Sequence, residues 1–263
     1  MEIKYIKTLW GYTPDLINAG LLSRIKAAGF DGVEAAVPEM PSARWKSMLA
    51  EARLDYVAMV FALTPQEFAA AVRQAVEFDP LVINAHDGRD KMSFTEGVGY
   101  FREVVAIERD LPVPVAHETH RHRLFYTPWA TAEYLQAFPS LRVCADFSHW
   151  CCVCESMLRD VEDMVALACE RAIHIHGRVG WEEGPQVADP RAPEYRDRLE
   201  RHEEWWDRIV ELRRRDAADL LTFDPEFGPP GYMPAQPYTR MPIVDLWEIH
   251  EWMLRRERER WGR

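Results

Sequence analysis

Residues 141–150 read LRVCADFSHW, and the choice of fold turns on this stretch. A short apolar run, Leu141 to Ala145, stops at Asp146, and His149 follows three residues later. Strands buried on both faces read as continuous apolar runs, and α/β barrels keep their chemistry at the carboxyl ends of such strands. A carboxylate and an imidazole emerging where a buried strand stops therefore point to a parallel barrel. The pattern recurs: LVINAH ends at His86, VPVAHE at Glu118, RAIHIH at His176 and LLTFDPE at Glu226.

On either side of this stretch strands alternate with helices. Ile3 to Leu9 predicts a first strand ending at Trp10, with Thr13-Pro14-Asp15 opening a helix to Ala28 that stops at Gly29. Gly32 to Val37 predicts the second strand, ending near Glu34, and Pro41-Ser42 opens a helix to Arg53. Leu54 to Leu63 is the third, followed by Thr64-Pro65-Gln66-Glu67, a helix start of the N-cap, proline, acidic kind. Leu81 to Ala85 predicts the fourth, with a helix from Thr95 to Glu108 behind it. Pro112 to Ala116 predicts the fifth, running into HETHRHR, and Pro128 opens a helix to Phe138. After the sixth strand, Leu141 to Ala145, a helix is expected from Ser156 to Cys169, and Arg171 to Ile175 is the seventh strand. The long segment from Gly177 to Pro193 precedes a charged helix through Trp205 and Trp206 to Arg215, read as packing residues. Leu220 to Phe223 is the eighth strand, and Ile243 to Arg258 the last helix. Eight strand and helix pairs predict an α/β fold, a (β/α)8 TIM barrel. Such a barrel takes roughly 250 residues. With 263 residues and no Pro/Gly/Ser-rich divider, a single domain spanning 1–263 is expected.

Composition narrows the partners. Acidic residues outnumber basic ones 43 to 32, a formal net charge of -11, which opposes binding to a polyphosphate backbone. MEIKYIKTLW has no signal-peptide apolar core, and no apolar run approaches the roughly 20 residues of a spanning helix. A cytoplasmic protein that uses neither nucleic acid nor membrane is expected. Five cysteines without an even, spaced framework suit a reducing compartment, and Cys151, Cys152 and Cys154 read as small residues in the first turn of a helix. Aromatic residues on outer helices are compatible with a homodimer.

Barrel closure would bring Glu118, Asp146, His176 and Glu226 from the fifth to eighth strands into one opening. Taken singly, each suits an ordinary salt-bridging or capping role. Together, three carboxylates need compensation, and a divalent cation supplies it. An oxygen-rich set with one histidine favours Mn²⁺, Mg²⁺ or Co²⁺, with Zn²⁺ a further candidate. Trp10 and Glu34, at the first two strand ends, are candidates to line the pocket, since aromatic faces suit the apolar faces of sugar rings. Strand alternation turns His117 away from Glu118, leaving His120 as the nearby imidazole. The loop WEEGPQV, Trp181 to Val187, is the expected lid.

The strand ends HETH, DFSH, HIH and DPEFGP resemble, in order, those of the xylose-isomerase-like barrel superfamily of sugar epimerases, isomerases and relatives, and the resemblance spans essentially the whole chain. It implies a single-metal site of Glu118, Asp146, His176 and Glu226, with His174 on the supporting side; two residues apart on one strand, the histidines share a face, and geometry alone does not separate them. It further implies that Glu118 and Glu226 are the pair that removes and returns a proton next to a carbonyl. His149 matches a position that contacts substrate hydroxyls, and His86 and Arg178 are candidates for the same role. The implied activity is metal-dependent isomerisation or epimerisation of a sugar or keto-sugar, with a dehydratase or lyase acting on a keto-sugar or keto-acid as the alternative. A dehydratase or lyase shares the first proton step. A non-catalytic binding barrel would be favoured by loss of a ligand, and all are present. Abasic-site endonucleases of the superfamily need an additional Asp-x-His pair after the seventh strand, which this sequence lacks. No Gly-rich phosphate loop is visible, so a phosphorylated substrate is not expected.

Overall fold

Six apolar side chains, Ile6, Val57, Val82, Ala116, Cys144 and Ile173, form a small buried cluster separate from the main core, each from a different strand. They plug a barrel. The computed structural model describes residues 1–262 as a closed ring of parallel strands in sequence order, sealed by hydrogen bonds between the first and last. The strands are β1 Glu2–Thr8, β2 Gly32–Ala36, β3 Asp55–Ala62, β4 Val82–Asp87, β5 Val115–Glu118, β6 Val143–Ala145, β7 Ala172–His176 and β8 Leu220–Asp224. Around them run α1 Ala19–Ala27, α2 Ser42–Ala52, α3 Pro65–Val76, α4 Phe94–Glu108, α5 Pro128–Ala137, α6 Phe147–Cys154, α7 Glu162–Arg171, α8 Arg196–Arg215 and α9 Leu246–Trp261. The main core lies between the two layers, where Phe223 packs on Tyr5, Trp206 and Trp261. Burying such a side chain contributes about 1.5–3 kcal/mol. Trp205 and Trp206 are buried in this layer, as expected of packing residues.

Strand periodicity of two then positions the site. Two residues beyond four of the plug residues the chain faces the barrel mouth: Thr8 after Ile6, Asn84 after Val82, Glu118 after Ala116 and Asp146 after Cys144. On β7 the inward pair is His174 and His176, beside a register shift between Val143 and Cys144.

Several local expectations shift. The first helix begins at Asn18, whose side chain accepts from Leu21 N, because Thr13 spends its hydroxyl on Asp15 at 2.6 Å in a turn. The fifth strand starts at Val115, since Pro112 and Pro114 have no N–H for the ladder. The sixth strand leads straight into an additional helix, α6, whose first turn Asp146 caps by accepting from Ser148 N. Cys151, Cys152 and Cys154 therefore lie toward its C-terminal end rather than in a first turn. Left-handed Glu155 ends α6, left-handed Leu158 opens a short 3-10 turn, Arg159–Val161, and the helix expected from Ser156 begins at Glu162. Burial pushes the Cys151 thiol well up and Cys154 to about 11, so both stay protonated. Among the described residues no helix is long and apolar enough to cross a membrane.

Candidate active site

His176 is the hub of the barrel mouth. Its Nδ1 is buried without an aligned hydrogen-bond partner, yet it faces Glu226 Oε2 at 3.1 Å, Glu118 Oε2 at 3.6 Å and Asp146 Oδ2 at 3.9 Å. Its Nε2 is held from behind by both oxygens of Glu34, at 3.1 and 3.2 Å. Glu34 also meets His174 Nε2 at 2.9 Å and accepts from Asn84 Nδ2 at 3.0 Å. The other nitrogen of His174 faces Thr222 Oγ1 at 2.7 Å, so this histidine braces Glu34 and stands apart from the three carboxylates. A carboxylate on one imidazole nitrogen fixes the tautomer and aims the other at a ligand.

Each carboxylate has its own support. Asn84 Nδ2 donates to Glu118 Oε2 at 2.6 Å, and His86 Nε2 approaches the same oxygen at 2.8 Å. Asp146 accepts from Ser148 and from Arg178 Nη2. Arg178 also reaches Glu226 Oε2 at 3.2 Å and donates to His149 Nε2 at 2.8 Å. Arg178, expected on substrate, thus pairs with two of the four expected ligands while still lining the cavity.

The electrostatics are those of too many acids in a dry space. Burial, reinforced by Glu226 and Glu118 and only partly offset by Arg178, pushes the Asp146 carboxyl up to about 6. Burial and the nearby Glu34 hold Asp224, two residues before Glu226, well above the usual range, and neither of its oxygens has a partner. Burial pulls His120 down to about 3 and His149 well below its ordinary value, so neither supplies positive charge at neutral pH. Burial works against the charged forms of Glu34 and Glu118 too, but imidazoles overcome it: His176 and His174 for Glu34, His86 and His176 for Glu118. His176 is raised despite its burial, with the Cys144 sulfur and Glu226 the leading influences. An unpartnered nitrogen aimed at three clustered carboxylate oxygens is a donor set that fits a divalent cation. The ligand atoms of Asp146, His176 and Glu226 lie within 4.8 Å of one another.

Above this floor opens a cavity of about 680 Å³. Glu118, Glu226, Arg178, His86, Glu34 and Trp10, all expected at the site, line it. His149 is wholly buried behind His120, with ring centroids 3.9 Å apart. Because α6 starts at Asp146, His149 falls one turn along on the side facing Arg178, and His120 takes the place at the cavity wall. His117 does turn outward, between Asp87 at 2.6 Å and Glu108 at 2.7 Å. The WEEGPQV loop is fastened rather than free: Gly180 N donates to His202 Nε2, Val187 N to Val179 O, and Gln186 brackets the Gly228 backbone. The outer wall instead comes from Trp10 and Tyr232, packed edge to face at 4.7 Å. A Cβ on Gly228 would meet the Trp10 ring at 2.2 Å, so glycine lets the β8 loop close against it.

Comparison with known proteins gives a likeness of fold. No protein-family model matches the sequence, and no curated protein matches it. A sugar phosphate isomerase/epimerase from Parabacteroides distasonis superposes with a TM-score of 0.60 and 10% identity, covering 92% of this chain and 90% of that one. The chain shares with it the fold of a closed, parallel (β/α)8 barrel. The probable 3-DHS dehydratase AsbF from Bacillus anthracis, involved in petrobactin synthesis, matches with a TM-score of 0.53 and 16% identity, over 85% and 92% of the two chains.

Within this barrel, Asn84 and Tyr232 are the supporting residues that the sequence did not bring forward. Asn84 was hidden inside an apolar strand, where an uncompensated amide four residues before the loop glycine Gly88 was the available signal. Tyr232 arrives from a Pro-rich segment without periodicity and had none. It lies between the Arg178 and Arg121 guanidinium groups, each 4.9 Å from its ring.

Proposed function

We propose that this chain is a divalent-metal-dependent enzyme that removes and returns a proton at a carbon next to a carbonyl, isomerising or epimerising a sugar, keto-sugar or keto-acid. One observation carries the reading: Glu118 and Glu226, from strands three places apart in the ring, line one cavity and converge on His176 Nδ1. Glu118, Asp146, His176 and Glu226 would hold the cation, with Mn²⁺, Mg²⁺ or Co²⁺ favoured and Zn²⁺ a further candidate. When bound, it supplies Lewis-acid charge that lowers the cost of forming an anion beside the carbonyl.

The chain's own residues divide the remaining work. The contacts of Glu118 with Asn84 and His86 fall on Oε2, leaving Oε1 to take a proton from a bound substrate. Glu226 likewise engages Arg178 and His176 through Oε2, leaving Oε1 to return a proton from another side. Proton transfer between a placed carboxylate and carbon contributes about 10²–10⁴-fold. Glu34 keeps His176 Nδ1 turned toward the carboxylates, and Arg178 orients Asp146 and Glu226. Trp10 and Tyr232 shield the centre from bulk water.

A second reading, a dehydratase or lyase, is favoured by the likeness to the AsbF barrel. It begins with the same proton removal and ends with loss of a group from the next carbon. Proton exchange in D₂O, followed by NMR on Mn²⁺-loaded protein with ketoses, keto-acids and oxidised sugars, tests both. Deuterium next to a carbonyl is expected, and the product separates isomerase from lyase. Absence of exchange across that panel with metal bound would remove both readings.

A further inference from the structure

We propose that the substrate carries, beside its reacting carbonyl end, a flat apolar ring that lies in the half of the cavity built by the ends of β1, β2 and β3. The proposal rests on the proton-abstraction reading for the reacting end only. The cavity has two unlike halves. On one side the lining residues are His86, Glu118, His120, Arg178 and Glu226, from the β4, β5, β7 and β8 ends. On the other they are Trp10, Tyr12, Ile17, Met40, Met59 and Phe61, with Glu39 the ionisable group beyond the floor.

Three observations say what this second half would hold. Phe61 is 50% exposed and Trp10 37% exposed, so large apolar side chains are left uncovered on a concave wall. A polyol placed there would strip water from its hydroxyls and find methionine and aromatic carbon in exchange, which disfavours it. A ring face gains from the same surroundings, since thioethers and aromatic edges pack well on π-systems. Size points the same way: at about 30 Å³ for each water-sized group, a space of about 680 Å³ admits more heavy atoms than a hexose carries. The two halves are also continuous at the chemistry. The Phe61 ring lies 4.6 Å from that of His86, and His86 touches Glu118 at 2.8 Å, so the apolar wall begins next to the proposed base. The ring is therefore attached close to the reacting carbon.

The test compares two hydroxymethyl ketones that share a reacting end: 2-hydroxyacetophenone, which carries a phenyl ring, and dihydroxyacetone, which does not. Two readouts are taken on Mn²⁺-loaded protein: deuterium exchange of the hydroxymethyl protons by NMR, and binding by quenching of tryptophan fluorescence. The phenyl ketone should bind, and exchange by kcat/KM, at least about tenfold better. Met40→Asp should cut that ratio about tenfold, with circular dichroism unchanged. Equal or better handling of dihydroxyacetone would overturn the ring proposal and leave proton abstraction standing. Tight binding of the phenyl ketone with no exchange of either compound would support the ring site and sink proton abstraction. Failure of the phenyl ketone to bind at millimolar concentration would overturn the ring proposal.

Discussion

The two sides of the barrel mouth use the same inward positions for opposite purposes. On β4, β5, β6 and β8 the positions that face the opening hold Asn84, His86, Glu118, Asp146, Asp224 and Glu226. On β3 the equivalent positions hold Met59 and Phe61, and β1 leads to Trp10. On the first side the expected ligands lean on neighbours, Glu118 on Asn84 and His86, Asp146 on Arg178 and His176 on Glu34, while Asp224 is buried with neither oxygen partnered. On the second, Phe61 and Trp10 keep much of their surface free. Clustered charge gives chemistry and demands a cation; uncovered carbon gives shape and asks for a ligand.

The largest effect should come from the charged side. Glu118→Gln and Glu226→Gln should each lower proton exchange by about 10³-fold or more, with an unchanged melting profile, as NMR exchange and calorimetry would record. Full exchange in either variant would mean that the two carboxylates do not share the work.

A second effect separates the mouth from its outer brace. His117, clamped by Asp87 and Glu108, is raised to about 10, burial being outweighed by the two carboxylates. Its folded value lies above the ordinary 6.5, so its stabilisation is fully present below pH 6.5 and is lost as pH rises through about 10. Glu257, raised to about 9 mainly by burial and then by Glu203, acts in the same direction, because its ionisation as pH climbs is resisted by the fold. Above pH 7 the linkage is about 4 kcal/mol for His117 and about 3 kcal/mol for Glu257, so stability should fall by several kcal/mol between neutral and strongly alkaline pH. In His117→Gln that slope should flatten, and an unaltered slope in urea titrations would dismiss the clamp as the source.

Third, Glu34→Gln should weaken Mn²⁺ binding by about 10–100-fold, because the imidazole behind the site loses its anchor. Isothermal titration would show it, and wild-type affinity would break the link between Glu34 and the cation. The smallest effect belongs to the apolar side: Phe61→Ser should change stability by less than about 0.5 kcal/mol, whereas the buried Phe223→Ala should cost about 3–5 kcal/mol. A large loss at Phe61 would make that ring structural and blur the contrast between the two sides.

The charged side was the more legible in sequence, for a physical reason. An acid or imidazole that ends an apolar run is conspicuous, and Glu118, Asp146, His176 and Glu226 each do so. The barrel itself followed from strand and helix alternation. What stayed hidden was non-local or local in a misleading way. Glu34 meets His174 and His176 across 140 and 142 residues, a pairing that only barrel closure creates. DFSH reads as a loop after a strand, but Asp146 can cap a helix, and α6 forms there and buries His149 behind His120, with its nitrogen still near Glu118 and Asp146. The apolar gallery left no motif: Met40 and Met59 are half-buried and line the cavity, and Phe61 looks like core until closure leaves it exposed.

The most direct test of the account is anomalous diffraction from crystals soaked in Mn²⁺. The account predicts one strong peak among Glu118, Asp146, His176 and Glu226. No peak there at saturating Mn²⁺, with Arg178 still paired to Asp146 and Glu226, would contradict it.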